Sequence, residues 1–207
     1  GVDSDWIHVS TSSDGINTFK KEKSIDGLHS FRGTAVVDVH ISLVLGSFCN
    51  VSEAVHWIDM LKSMTKYSNE IESTGSWDII HQWFDLPWPV ADRDLVMRRQ
   101  WFIDHRYRNI TVMYRSIVDP RIPDITGVIR AHSARTVWRF QAVPNPNYQA
   151  GATFTRIEIE TILDSKGSLP AFLSNYIQRG YPKTIIGALV ALATRNISAP
   201  DARFLKW

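Results

Sequence analysis

Leu95-Val96-Met97-Arg98-Arg99-Gln100-Trp101-Phe102-Ile103 is the stretch on which the fold turns. Every second residue, Leu95, Met97, Trp101 and Ile103, is apolar, and Arg99 is the charged member of that face. A period of two marks a strand with one face turned into a core. A guanidinium there cannot shed its proton to escape desolvation, so it needs a carboxylate, a phosphate, carbonyls or trapped water. Two readings stand: an arginine facing a ligand, or an ordinary core ion pair. A register shift of one would turn Arg98 inward instead.

On either side the chain keeps alternating. Trp6 to Thr11 and Ile16 to Lys23 flank Ser12-Ser13-Asp14-Gly15, whose Asp-Gly pair signals a hairpin. Phe31, Gly33, Ala35, Val37, Val39 and Ile41 mark a third strand. Ser52 is placed to cap a short helix carrying Val55, Ile58, Met60 and Leu61. Trp77, Ile79, His81 and Trp83 alternate as the apolar face of the next strand, which Leu86-Pro87-Trp88-Pro89 ends. Beyond Ile103 come Ile110, Val112, Tyr114 and Ser116, then Ala134, Thr136, Trp138 and Phe140, then Ile157, Ile159 and Leu163. This is a long antiparallel meander.

At Pro170 the period changes. Phe172, Leu173, Tyr176, Ile177, Ile185, Ile186, Leu189, Val190 and Ala193 recur at three- and four-residue steps, a helical stripe that Pro182 should kink near Gly180. Some 25 residues at about 1.5 Å each span nearly 40 Å, enough to cross a curved sheet. Positions 1–195 therefore read as one α+β domain. Positions 196–207 form a tail without periodicity, whose Phe204, Leu205 and Trp207 either dock or dangle.

Composition narrows the function. The 207 residues are 44% hydrophobic and 21% charged, as in a globular protein with a sizeable core. A net charge of +2, with scattered Lys and Arg, argues against nucleic acid as a partner. Eight Trp and nine Phe fill a large core or line a cavity. Cys49 is the sole cysteine, so an internal disulfide and a cysteine-based metal site are excluded. No apolar run approaches about 18 residues, and Gly1 to Ile7 carries no signal pattern, although removal of an upstream signal would leave the same start. The compartment is thus open, cytoplasmic or exported. The triplets at Asn50, Asn109 and Asn196 match a glycosylation rule that chance often satisfies. Metal-ligand spacings, nucleophile elbows, phosphate loops and dinucleotide fingerprints are missing, so no catalytic residue, metal or cofactor is assigned.

Leu86-Pro87-Trp88-Pro89-Val90-Ala91-Asp92-Arg93-Asp94-Leu95-Val96 resembles the P-[FW]-P-x-x-x-R-D-[FLY]-V segment of the START family, the lipid-transfer domains related to steroidogenic acute regulatory protein. Thr126-Gly127-Val128-Ile129-Arg130 is similar to its G-x-[VI]-R, Gly167-Ser168-Leu169-Pro170-Ala171-Phe172-Leu173-Ser174-Asn175 to its helix entry, and Trp57-Ile58-Asp59-Met60 to its W-x-D segment. The resemblance implies a helix-grip fold: a curved antiparallel sheet wrapped around a long C-terminal helix, with a lipid-sized tunnel between them. It places Arg99 where steroidogenic and phosphatidylcholine-transfer relatives carry a tunnel arginine. Cholesterol-handling relatives have an acidic residue near the level of Ile79, Ile80 and His81, where this chain has none, a departure that speaks against a sterol.

The function expected is carriage of one lipid or similar amphiphile by a monomer that touches membranes transiently, not an enzyme. Burying acyl chains offsets roughly 0.8 kcal/mol per CH₂ of exposure. The ligand-binding residues expected are Arg99, Leu95, Met97, Trp101, Tyr114, Trp138, Phe140, Ile157, Ile159, Phe172, Tyr176, His81 and Trp83. Arg99 would fork onto an anionic head, and Trp101 or Tyr114 would meet a choline-like cation. Asp119 to Gly127 and Gly180 to Pro182 are the hinge candidates. The alternatives are a lipid-sensing or interaction module without transfer, and a helix-grip enzyme of the cyclase type using His81, Arg99 and Tyr114.

Overall fold

Gly15, at φ 75°, closes the first hairpin where Asp14-Gly15 predicts it, between β1 (Trp6–Thr11) and β2 (Asn17–Lys21). The computed structural model describes residues 5–21, 28–67, 71–72, 75–144, 153–195 and 198–207. The remaining strands are β3 (Leu28–Val37), β4 (Leu61–Tyr67), β5 (Ile71–Glu72), β6 (Gly75–Phe84), β7 (Arg93–Asp104), β8 (Asn109–Ser116), β9 (Ile129–Arg130), β10 (His132–Pro144) and β11 (Thr153–Asp164). They form a curved, open, mostly antiparallel sheet in the order β1-β2-β3-β11-β10-β8-β7-β6-β4, with β5 on β6 and β9 parallel to β7. The first three strands thus join the last one, and the meander runs back from there.

Ile41 is not the end of a strand. β3 stops at Val37, and Ile41 opens α1 (Ile41–Cys49), where His40 Nδ1 accepts from the Ser42 amide at 3.3 Å. Ile41, Val44, Leu45 and Phe48 are buried, so α1 is a core plug, and a mostly apolar helix carries no period to distinguish it from a strand. The helix expected after Ser52 is a 3₁₀ stretch, Val51–His56, capped by Asn50 rather than Ser52. Met60, at φ 60°, ends that passage, and Leu61 begins β4.

The C-terminal helix breaks where expected, into α2 (Ala171–Arg179) and α3 (Tyr181–Thr194), with Gly180 between them and Pro182 in the first turn of α3. α3 lies close on the sheet: a Cβ on Gly33 would come within 2.9 Å of both Pro182 and Ile186. The tail docks. Phe204 and Trp207 belong to the main core, Asp201 N donates to Ser42 O at 2.8 Å, and Gly46 lets the Ala199 carbonyl press onto α1.

The phase of β6 is the reverse of the reading from sequence. Asp78 pairs with Arg99, Ile80 with Met97 and Gln82 with Leu95, so the even-numbered residues share the inner face with Arg99. Trp77 and Ile79 lie on the outer face in a second apolar cluster with Val96, Ile117, Tyr67 and Ile122. Ile122, from the β8–β9 connection, covers that face. Both faces of β6 are therefore apolar here, and a period-two count cannot tell which is inner.

Candidate ligand cavity

Five side chains stand opposite one another in a single row across the inner face: Asp78, Arg99, Tyr114, Thr136 and Thr161, from β6, β7, β8, β10 and β11. Arg99 Nε donates to Asp78 Oδ1 at 2.7 Å, its Nη2 donates to Oδ2, and Lys66 Nζ stands 3.6 Å from Oδ2. Nη1 has no hydrogen-bond partner among the described residues. Burial alone would lower the Arg99 pKa, but Tyr114 and Asp78 outweigh it and raise it. Burial pushes the Tyr114 phenol up to about 12, with Arg99 pulling the other way. Thr161 Oγ1 donates to Thr136 Oγ1 at 3.1 Å, which continues the polar row.

One side of this row is filled. Phe48 packs against Trp57, Trp101, Trp138 and Phe140 with ring centroids 4.9 to 5.9 Å apart. The other side holds a cavity of about 130 Å³ between the sheet and the C-terminal helices. Its apolar wall includes Phe31, Met60, Phe84, Leu86, Leu163, Leu169, Ile177, Tyr181 and Ile185, and its polar groups come from Gln82, Arg93, Tyr114, Thr136, Thr161 and Ser165.

Among the residues expected from sequence, Leu95, Met97, Tyr114, Trp138 and Ile159 line this cavity. Arg99 does not: it is paired with Asp78 behind Tyr114, which corrects both the anion fork and the supposed lack of an acidic neighbour. Phe140 and Ile157 are fully buried beyond the cavity, and Trp101 packs on Phe48. The aromatic excess thus builds core as well as lining. Phe172 is 62% exposed at the start of α2, on the side of that helix turned from the sheet. Tyr176 is engaged by Asp59, to which its hydroxyl donates. Burial and that bond push its phenol up to about 12.

His81 and Trp83 fall on the outer face with the rest of their parity. His81 Nε2 lies 2.9 Å from Asp94 Oδ2, and Trp83 Nε1 donates to Asp92 at 2.8 Å beneath Lys62. Asp94 also receives Arg130 through Nε at 2.8 Å and Nη2 at 2.9 Å, a contact that raises the Arg130 pKa. Arg130 Nη2 in turn donates to Pro123 O at 3.1 Å. The Asp119–Gly127 segment is thereby held against the outer face through Ile122 and Arg130, away from the cavity, which removes it as a hinge over the mouth.

Arg93 and Ser165 are cavity residues that the sequence reading missed. Arg93 continues the inward parity of Leu95, Met97 and Arg99 to the start of β7, a signal that a count of apolar residues passes over because the side chain is charged, and Ser165 lies just past the end of β11. Among the described residues, no group of three His, Cys, Asp or Glu could hold a metal ion, and no helix is long and apolar enough to cross a membrane.

No family model matches the chain. It is 24% identical over 193 residues to an uncharacterised protein of Pseudomonas aeruginosa, covering 93% of this chain and 88% of that one. Human STARD10 superposes with a TM-score of 0.77 at 16% identity, over 93% of this chain and 74% of that chain. Human StAR-related lipid transfer protein 5 superposes at 0.76 and 15% identity, over 93% and 88%. The curved sheet gripped on α2 and α3, with the cavity between, is the fold of the START domains.

Proposed function

We propose that the protein binds one amphiphile in the cavity between sheet and C-terminal helices and carries it between membranes or partners without making or breaking a bond. The observation that carries this reading is an internal, mainly apolar space crossed at one end by the polar row of Tyr114, Thr136 and Thr161. An apolar chain gains about 25 cal/mol for each Å² withdrawn from water there, while the row satisfies a polar group that enters with it. Because Asp78 already matches the charge of Arg99, the end at the polar row favours a neutral group such as a hydroxyl; a phosphate would meet a neutralised guanidinium and a buried carboxylate.

The space is smaller than the roughly 300–1,000 Å³ of drug-sized sites. Single-chain cargo suits it as it stands, and bulkier cargo requires α2 to swing outward about Gly180. Tyr176 of α2, bonded to Asp59 ahead of β4, is a tie that such a swing must release. Carriage also entails brief contact with a membrane surface by a monomer.

Recombinant protein extracted with organic solvent is expected to yield a bound amphiphile in near one-to-one amount by mass spectrometry, and to move labelled single-chain lipid between vesicles. An empty protein that accelerates no exchange of fatty acid, fatty alcohol, sterol or phospholipid sinks the reading. Cargo that binds tightly yet never transfers would favour the sensing alternative.

A further inference from the structure

We propose that Arg93 and Ser165 form an anion-recognition subsite at the end of the cavity away from Tyr114 and Thr136, fitted to the carboxylate of a single-chain amphiphile. It rests on the carrier reading above and adds to it the charge of the cargo and the end at which that charge lies.

Arg93 lines the cavity and is 6% exposed, yet no carboxylate oxygen among the described residues lies within 4.0 Å of its guanidinium. Its donors go to main-chain carbonyls instead: Nε to Ser165 O at 2.8 Å, Nη2 to Lys166 O at 3.0 Å and Nη1 to Ala91 O. Carbonyls orient a guanidinium but bring no countercharge. Burial accordingly lowers its pKa, with Asp92 opposing from beyond ion-pair distance. Arg99 shows the contrast, since its charge is matched in full by Asp78. A guanidinium has five N–H groups, so two on Arg93 remain for a ligand.

Ser165 supplies the second donor. Its Oγ lies 3.1 Å from His29 Nε2, and Gln178 Nε2 stands 3.4 Å from His29 Nδ1. With Gln178 donating to Nδ1, a neutral imidazole carries its proton on Nε2 and gives it to Ser165 Oγ. Burial lowers the His29 pKa and favours this neutral form, with Asp164 opposing. The Ser165 hydroxyl proton then has no acceptor among the described residues. One guanidinium and one hydroxyl suit the two oxygens of a carboxylate. Ser165 stands four residues beyond Thr161 of the polar row, roughly 13 Å along an extended chain, so the two polar ends of the cavity are well separated.

Decanoate and decanol, titrated calorimetrically into the intact protein at about pH 8, test the assignment, since decanoate is then ionised. Decanoate is expected to bind at least about tenfold more tightly, equivalent to about 1.4 kcal/mol. Ser165→Ala keeps the carbonyl that holds Arg93, and should weaken decanoate about tenfold while leaving decanol unchanged. Arg93→Gln should erase the preference; should it fail to fold, Ser165→Ala decides. Equal affinity for the two probes, or an undiminished preference in Ser165→Ala, overturns the subsite and leaves the carrier reading intact. Failure of both probes to bind overturns the subsite, and the carrier reading is then decided by the extraction and vesicle exchange described above.

Discussion

Asp78 and Arg99 face each other across the β6–β7 register and close a two-pronged ion pair in which neither side chain exceeds 5% exposure. Two charges in such a place are tolerable only together. Arg99→Leu leaves Asp78 with Lys66 at 3.6 Å as its remaining cation, and is expected to cost about 3 kcal/mol in urea unfolding. Replacing both, as Asp78→Val with Arg99→Leu, should recover most of that loss. A single mutant as stable as the parent would place Arg99 in water.

Tyr114 gives the alkaline limb of stability. Its phenol is raised from 10.0 to about 12, chiefly by burial, so the folded state keeps a proton that the unfolded chain releases. The associated stability is complete below pH 10 and declines as pH climbs from 10 towards 12. Tyr114→Phe should make that slope shallower, the remainder coming from Tyr176 and Tyr181, whose phenols burial also raises. Chemical denaturation across this range, with phenolate absorbance recorded in parallel, checks it.

Asp94 carries a bidentate arginine and a histidine at 1% exposure. Asp94→Ala takes the carboxylate from His81 and leaves Arg130, a quarter exposed, with Asp124 at 3.4 Å and main-chain carbonyls, with an expected loss of about 1–3 kcal/mol. Because Arg130 also holds Pro123 O, amide exchange across Asp119–Gly127 should rise before the sheet loosens. Unchanged protection in that segment would show that Ile122 alone seats it.

Two glycines mark close approaches. Gly33→Ala puts a methyl against Pro182 and Ile186 and should cost roughly 1–3 kcal/mol by overpacking. Gly46→Ala meets a carbonyl of the tail, which cannot rotate aside as a side chain can. It should detach the segment carrying Phe204 and Trp207, seen as faster proteolysis after Ala199 and a red shift in tryptophan emission.

Tyr176→Phe removes the bond to Asp59 without touching the cavity wall. Cargo exchange is expected to quicken several-fold with little change in affinity, measured by stopped-flow displacement of a fluorescent fatty acid. An unaltered rate would locate the entry elsewhere than α2.

What could be read beforehand followed from how many faces of an element are buried. β7 passes from buried to exposed along its length and has one wet rim, so its alternation exposed Arg99 as an inward charge and left open only what it met. α2 and α3 show a helical stripe and a proline, and the break at Gly180 was legible. β6 and α1 are apolar on more than one side, so their phase and even their type were hidden, and with the phase of β6 went Asp78. Phe172 belonged to the helical stripe by spacing but lies where α2 begins, with no sheet beneath it. Arg93 shares the parity of Leu95 and Met97, but what it meets was beyond reach: the carbonyls of Ser165 and Lys166 come from 72 and 73 positions away, and the His29 that engages Ser165 from 136.

The lateral pairing of β3 with β11 imposes an order on synthesis. Arg32 and Glu158, ion-paired across that seam, are 126 positions apart in the chain. During translation β3 therefore emerges with one edge bare and stays so until nearly the whole domain has left the ribosome. Such non-local closure makes folding slow, and a stalled or truncated nascent chain offers an adhesive strand to its neighbours.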